Sequence, residues 1–326
     1  MRAVQIERFG EPGEVLTLTE RPLPEPGPGQ VRIRLLLSPI HNHDLAIVRG
    51  VYGYRPSLPA TPGTEGVGRV DALGPGVTGW EIGQRVAVSG GQQVWAEYFL
   101  ADPAQLIPVP EQVSDETASQ LLAMPLSALM LLDDLNLQAG QWLAINAANG
   151  AIGRLANLLA RDRGLRVLNV VRGPVSVRTL RELGFDPVVD TETDGWTQQA
   201  LAATDGAPIL RAVDQVGGPV GGAMLSLLAP RGELISFGAL SGRPLTLDPG
   251  ALIFKQAVVK GFWGGKRVEE IGAQRRGALI AELIDLAARG VLRLEVEAVY
   301  PLDRAAEAAK ASETPGRNAK IALSGS

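Results

Sequence analysis

Apolar and polar residues alternate at the start of the chain. Arg2-Ala3-Val4-Gln5-Ile6 and Val31-Arg32-Ile33-Arg34-Leu35 both repeat with a period of two, which predicts half-buried strands. Between them, Arg21-Pro22-Leu23-Pro24-Glu25-Pro26-Gly27-Pro28-Gly29 holds too many prolines for a helix or a central strand and reads as a surface connection. Glycines at 63, 66, 68, 74, 76, 79 and 83 punctuate the short β runs Gly68–Leu73 and Gln84–Val88. Frequent turns between short strands suggest a barrel-like first domain.

The pattern changes near Ser114. Ser114-Asp115-Glu116-Thr117 reads as a helix start, with Ser114 as cap, before a helix from Ala118 to Leu132. Beyond it, strands and helices alternate. The expected strands are Trp142–Ile145, Arg166–Val171, Pro187–Val189, Ile209–Val213, Gly232–Phe237 and Val258–Phe262, with helices over Val175–Leu183 and near Val220–Leu228. That spacing is the signature of a doubly wound parallel sheet, and six strands are the full count for a dinucleotide-binding one. A closing segment holds a helix near Arg275–Arg289, a strand Glu295–Tyr300, a short helix from Asp303 and a strand Ala319–Leu323. It has no place in a six-stranded sheet, so it is expected to return to the first domain. The expected domains are residues 1–120 with 264–326, and 121–263. Val258–Phe262 would be a sheet edge rich in β-branched residues and poor in charge, which predicts a homodimer that continues the sheet.

Composition narrows the chemistry. The 326 residues suit two domains at a prior of roughly 150 residues each. Thirty-one basic residues against 35 acidic ones give a net charge of −4, which argues against a nucleic-acid partner. No apolar run approaches the roughly 18 residues of a membrane span, and the start lacks the apolar core of a signal peptide. The expectation is therefore a cytoplasmic protein with no membrane partner. Cysteine is absent from the sequence, which removes disulfides, thiol nucleophiles, Fe–S clusters and thiolate zinc sites together. The two histidines are His41 and His43, so any histidine chemistry falls on one segment.

Ala147-Ala148-Asn149-Gly150-Ala151-Ile152-Gly153 follows a strand and opens a helix, with the spacing of G-x-G-x-x-G and Ala148 in place of the first glycine. Small residues let such a turn approach a pyrophosphate, and the helix N-terminus offers it free N–H groups. A tight turn without a ligand looks similar; its position in a six-strand series favours the nucleotide. The next strand ends Val170-Val171-Arg172, and no acid follows before Glu182. NAD binders usually carry an acid there for the ribose hydroxyls, whereas a guanidinium pairs with a 2′-phosphate. Arg172 is either that phosphate ligand, with Arg178 as a second contact, or a solvated surface arginine. The cofactor expected is NADPH.

These features together resemble the medium-chain dehydrogenase/reductase superfamily: a GroES-like β-barrel catalytic domain, an inserted Rossmann domain with a doubly wound parallel six-stranded sheet, and a C-terminal return. Zinc-dependent members carry G-H-E where this chain reads Gly63-Thr64-Glu65, and cysteine in place of His41, so the chain resembles the zinc-free branch. Within it, Gly50-Val51-Tyr52-Gly53, Leu252-Ile253-Phe254-Lys255 and Gly261-Phe262-Trp263 are similar to mitochondrial-type trans-2-enoyl-CoA reductases. The resemblance implies Tyr52 as proton donor and Asn149, Gly150, Ala151 and Ile152 at the cofactor phosphates. It also implies Arg172 at the 2′-phosphate, and Phe237, Gly238, Ala239, Leu240, Phe262, Trp263 and Lys320 along the cofactor. Three departures stand out: His41-Asn42-His43-Asp44 replaces N-P-S-D, Met124 replaces an asparagine, and Gly173-Pro174 replaces a more basic continuation.

The implied reaction is zinc-independent reduction of the C=C bond of a 2-enoyl thioester or related enone by hydride transfer from NADPH. A phenol keeps its proton at neutral pH and donates it to a developing enolate, which suits Tyr52. Tyr54 lies two residues on, and a loop tyrosine is often only an anchor. If the histidine segment is extended, alternation points His41 and His43 to one side. They then line the substrate cleft with Trp263, serve as hydrogen-bonded loop residues, or join Asp44 and Glu65 at a metal; an x-separated pair lacks further ligands of a zinc site, so no metal is expected. An NADPH:quinone oxidoreductase and a non-catalytic NADPH-binding regulator remain as other readings.

Overall fold

The computed structural model describes residues 1–90, 93–314, 317 and 319–325. Contacts divide it into two units, residues 1–126 with 280–326, and residues 127–279. In the first, β1 (Arg2–Gln5) and β2 (Thr17–Glu20) pair antiparallel across the one-turn helix α1 (Pro12–Val15). The alternating run expected near Val31 is the start of β3 (Val31–Pro39), in which Val31, Ile33 and Leu35 point into the core. Helix α2 (Asn42–Arg49) follows, then β4 (Glu65–Leu73), β5 (Arg85–Ser89), β6 (Tyr98–Ala101) and β7 (Ile107–Pro108).

Two sequence expectations change here. The histidine segment turns helical at Asn42, with His41 as N-cap in extended conformation and Asp44 Oδ2 accepting from the His41 backbone N–H (2.8 Å). The single helix expected over Ala118–Leu132 is two: α3 (Asp115–Ala118) under its Ser114 cap, and α4 (Met124–Leu135). Pro125 is the reason, because proline lacks an N–H and is tolerated in the first turn of a helix but not inside one.

The second unit is built on β8 (Trp142–Asn146), β9 (Arg166–Val171), β10 (Val188–Asp190), β11 (Ile209–Asp214), β12 (Leu228–Ser236) and β13 (Val258–Gly261). Every pairing is parallel, and the order is β10-β9-β8-β11-β12-β13. The six strands expected from sequence are all present, and β13 is an edge. Helices α5 (Ala151–Asp162), α6 (Pro174–Glu182), α7 (Trp196–Ala202), α8 (Gly218–Leu227) and α9 (Pro249–Lys255) connect them, before α10 (Gly264–Glu270) and α11 (Gly272–Ala288). The whole of β8 is buried, as its continuous apolar run requires of a central parallel strand.

The closing segment returns to the first unit. There β15 (Lys320–Ser324) lies antiparallel to β3, with Ala322 opposite Pro39, and β14 (Val296–Pro301) runs parallel to β15. Helix α12 (Ala305–Glu313) packs Ala305, Ala308 and Ala309 into the same core as Val4, Ile33 and Trp95. Among the described residues, no helix is long and apolar enough to cross a membrane.

One glycine sets how closely α5 meets the sheet. A Cβ on Gly153 would lie 2.4 Å from both Cα and the carbonyl oxygen of Ala148, so only hydrogen fits. Alanine gains about 1 kcal/mol over glycine in helix propensity, but overpacking against backbone costs about 1–3 kcal/mol. Gly153→Ala is expected to be net destabilising in urea denaturation, despite its better helix former. Equal or higher stability would show that the turn relaxes freely.

Candidate functional site

In a parallel doubly wound sheet, ligands collect beyond the carboxyl ends of the strands where the order reverses. Here that point lies between β8 and β11. The side chains ending these strands are locked together: Asn146 Nδ2 donates to Asp214 Oδ1 (2.5 Å) and Asn146 Oδ1 accepts from Gln215 N (2.7 Å). Asp214 also accepts from the N–H groups of Val216 and Gly217 (both 3.0 Å at Oδ1). The sequence reading missed this network, whose signal is a polar residue closing each of two buried strands.

Beyond β8 the chain turns through Ala147, at a φ of 48°, into Gly150, the cap of α5, which carries no side-chain cap bond. The first intrahelical bond is Arg154 N–H to Gly150 O (2.9 Å), so the N–H groups of Ala151, Ile152 and Gly153 stand ahead of it. Gly150 and Ala151 are exposed, and Asn149 is braced by Ser176 (3.3 Å). This cradle fits a pyrophosphate. Arg172, directly after β9, is exposed and makes no side-chain bond among the described residues, so its guanidinium is available to a phosphate. Asp190 fixes the backbone beside it by accepting from Gly173 N (2.7 Å) and Glu192 N (2.9 Å). Phe237, Gly238, Ala239 and Leu240 follow β12, and Phe262 and Trp263 follow β13, at the same end of the sheet. The rings of Phe237 and Phe262 stack with centroids 5.4 Å apart.

The first unit gathers its titratable groups around His41. Gly63, at a φ of 93°, lets the chain turn against Trp95, whose Cδ1 would lie 2.3 Å from a Cβ there. Thr64 and Glu65 follow. Glu65 is wholly buried, accepts from Leu122 N (2.5 Å) and Ala123 N (2.7 Å), and bonds His41 Nε2 through its other oxygen (2.7 Å). Burial raises the Glu65 carboxyl to about 8 against the two N–H groups, which lower it. Burial, then Lys320 and His43, hold the His41 imidazolium well below its ordinary value, against Asp44. Both partners thus favour their neutral forms near pH 7, with Glu65 as the acid donating to Nε2 and the imidazole hydrogen on Nδ1. That Nδ1 is buried with no partner among the described residues.

Alongside, Thr64 Oγ1 donates to Asp44 Oδ1 (2.7 Å) and bonds His43 Nε2 (2.7 Å). The His41 and His43 rings stack at 4.9 Å, and Tyr52, half-buried, lies 5.9 Å from His43 between ring centres. Lys320 opens β15 and is half-buried; desolvation lowers its ammonium, against Asp44 and Glu65. The structure therefore brings His41, His43, Tyr52 and Lys320 together in this unit, with Asp44, Thr64 and Glu65 behind them. The remaining sequence-derived positions all lie in the second unit. Among the described residues, no group of three or more His, Cys, Asp or Glu is placed to hold a metal.

Residues 27–111 match the alcohol dehydrogenase GroES-like domain, and residues 151–277 match the zinc-binding dehydrogenase family. The mitochondrial enoyl-[acyl-carrier-protein] reductase of Bos taurus is 31% identical over 329 residues, covering 99% of this chain and 88% of its own. Among solved structures, a Pseudomonas syringae quinone oxidoreductase aligns at a TM-score of 0.86 with 28% identity, covering 99% of each chain. A mycobacterial protein complexed with NADPH aligns at 0.85 with 27% identity, covering 99% of this chain and 100% of its own.

The Glu65 geometry makes stability depend on pH. Its folded-state pKa, about 8, exceeds the ordinary 4.5, so the unfolded chain ionises first. The stabilisation is complete below 4.5 and is lost as pH rises through about 8, at a limiting slope of about 1.4 kcal/mol per unit. Glu65→Gln keeps the acceptors for Leu122 and Ala123 and a donor for His41, without the ionisation. The variant is expected to gain on the wild type between pH 5 and 8 in urea titrations. A constant difference across that range would mean that Glu65 is already ionised when folded.

Proposed function

Because the chain belongs to the zinc-free branch of the medium-chain dehydrogenase/reductase superfamily, we propose that it reduces the C=C bond of 2-enoyl thioesters or related enones with NADPH. The observation that carries this reading is the near-full-length match to an enoyl-[acyl-carrier-protein] reductase at 31% identity. NADPH, when bound, supplies the hydride. The turn Asn149–Ile152 would hold its pyrophosphate, Arg172 its 2′-phosphate, and Phe237–Leu240 with Phe262 and Trp263 its length; Lys320 would add a further contact.

The chain's own part in the chemistry is the proton. Addition of hydride at the β-carbon leaves an enolate, and Tyr52 would give its hydroxyl hydrogen to the α-carbon. The neutral Glu65–His41 pair would act as scaffold, since an acid already bonded on both oxygens has no free hydrogen to spend. A second reading, reduction of quinones, is favoured by the likeness to the Pseudomonas syringae quinone oxidoreductase. It requires no carbon protonation and so no Tyr52 hydroxyl.

The sheet edge at β13 supports self-association. Val258 is 47% exposed, and Ile253 and Phe254 on the preceding helix are 66% and 88% exposed. A second copy continuing the sheet would cover them, making a homodimer. The cytoplasm, where NADPH is available, is the proposed location.

Three measurements follow. Tyr52→Phe is expected to lower kcat on crotonyl-CoA about 10²-fold or more while leaving quinone reduction within about threefold; unchanged enoyl turnover would remove Tyr52 from the mechanism. Arg172→Ala removes charge-assisted bonds of about 1.5–3 kcal/mol each and should weaken NADPH binding about 10- to 100-fold with NADH unaffected. Equal losses for both cofactors would contradict the 2′-phosphate assignment. Sedimentation at micromolar concentration should give twice the 34.4 kDa chain mass, and a monomer would exclude the edge-to-edge dimer.

A further inference from the structure

We propose that His43 is the proton carrier that recharges Tyr52, with Nδ1 as its working nitrogen. The inference rests on the reductase reading above and begins with hydrogen-bond counting. A hydroxyl has one hydrogen, and that of Thr64 goes to Asp44 Oδ1. The 2.7 Å contact between Thr64 Oγ1 and His43 Nε2 must then use a hydrogen on the nitrogen. Neutral His43 is therefore the Nε2–H tautomer, and Nδ1 holds the lone pair. No protein group among the described residues bonds that nitrogen, and the side chain keeps 20% of its surface exposed to solvent.

The surroundings divide the work between the two imidazoles. Their rings stack at 4.9 Å with 15° between planes, so two adjacent imidazolium charges would repel. His41 is buried, bonded to Glu65 and pushed toward its neutral form, partly by His43 itself. His43 faces the Asp44 carboxylate, 3.7 Å from Nε2, across the Thr64 hydroxyl. The charged and titratable groups around it are His41, Asp44, Glu65 and Tyr52, with Lys320 acting on Asp44 and Glu65. A positive charge on His43 thus meets a carboxylate behind it, whereas one on His41 meets none directly on its free nitrogen. Imidazole is the side chain suited to exchanging protons near neutral pH.

Tyr52 loses its O–H bond to the enolate α-carbon, leaving a phenolate. The Nδ1–H bond of the His43 imidazolium breaks, its proton forms the new phenol O–H bond, and the electron pair stays on Nδ1. Solvent then restores the imidazolium. His43 acts through Tyr52 and is in that sense a positioning and relay residue. Its sequence signal is the replacement of the serine of N-P-S-D, which has no second protonation site on its side chain.

The test uses the fact that the full chain has two histidines. With ¹⁵N-labelled histidine, NMR of the cofactor-free chain gives two imidazole spectra, and His43→Ala assigns them. The expected result is Nε2–H with bare Nδ1 for neutral His43, proton uptake at Nδ1 on acidification, and loss of the tautomer preference in Thr64→Val. In turnover of crotonyl-CoA, His43→Ala should lower kcat about 10- to 100-fold with KM changed less than about threefold, and added imidazole should restore part of the loss. An Nδ1–H tautomer in the wild type, or an undiminished kcat in His43→Ala, would overturn the proposal. If the wild type reduces no enoyl thioester, the reductase reading fails instead, and the tautomer with its site of proton uptake decides the claim for His43.

Discussion

A carboxyl group with no exposed surface governs the first unit. Glu65 begins β4, yet its hydrogen bonds go to the backbone of Leu122 and Ala123 and to the imidazole of His41. Leaving a carboxylate at this depth would cost several kcal/mol, so the group is held as an acid whose every polar atom is matched. That choice fixes His41 as the neutral cap of α2, and the cap fixes where the first turn presents His43. Thr64 and Asp44 then set the second ring from behind. A neutral acid–imidazole bond ties these segments together, and cysteine, which a thiolate site would need, is absent from the sequence.

The second unit solves a different problem, that of keeping unpaired backbone N–H groups available. Ala148 and Gly153 let α5 close on β8 without a side chain between them, and an uncapped helix start leaves its donors for an anion. The Asn146–Asp214–Gln215 network behind the turn is fully buried and satisfied, which gives the exposed donors a rigid base. Rigidity matters because a phosphate bound through backbone N–H groups depends on their convergence rather than on any one strong contact.

Much of this was legible in the sequence because periodicity carries it. All six strands of the parallel sheet announce themselves as short apolar runs, and the return of the last segment follows from its having no seventh place there. The single helix expected over Ala118–Leu132 went wrong at Pro125, whose breaking effect was outweighed by the apolar run around it. Helix α2 was missed because His41-Asn42-His43-Asp44 has no apolar period at its start; the bond from the His41 backbone N–H to Asp44 is visible only once the fold is known. Glu65 and Asp44 entered the sequence reading only beside the two histidines, and their partners lie 57 residues away for Glu65 and Leu122 and 20 for Asp44 and Thr64. Local sequence cannot name such partners. For β8, the turn after it and α5, by contrast, strand, turn and helix are contiguous, so local sequence could place all three.

With the hydride coming from the cofactor and the proton from the chain, isotope transfer tests that division most directly. Crotonyl-CoA would be reduced once with NADPH deuterated at the transferable C4 position in ordinary water, and once with unlabelled NADPH in D2O. The butyryl-CoA product is expected to carry one deuterium at the β-carbon in the first case and one at the α-carbon in the second. Product that lacks the cofactor's deuterium, or label from solvent at both carbons, would contradict hydride transfer followed by protonation from the protein.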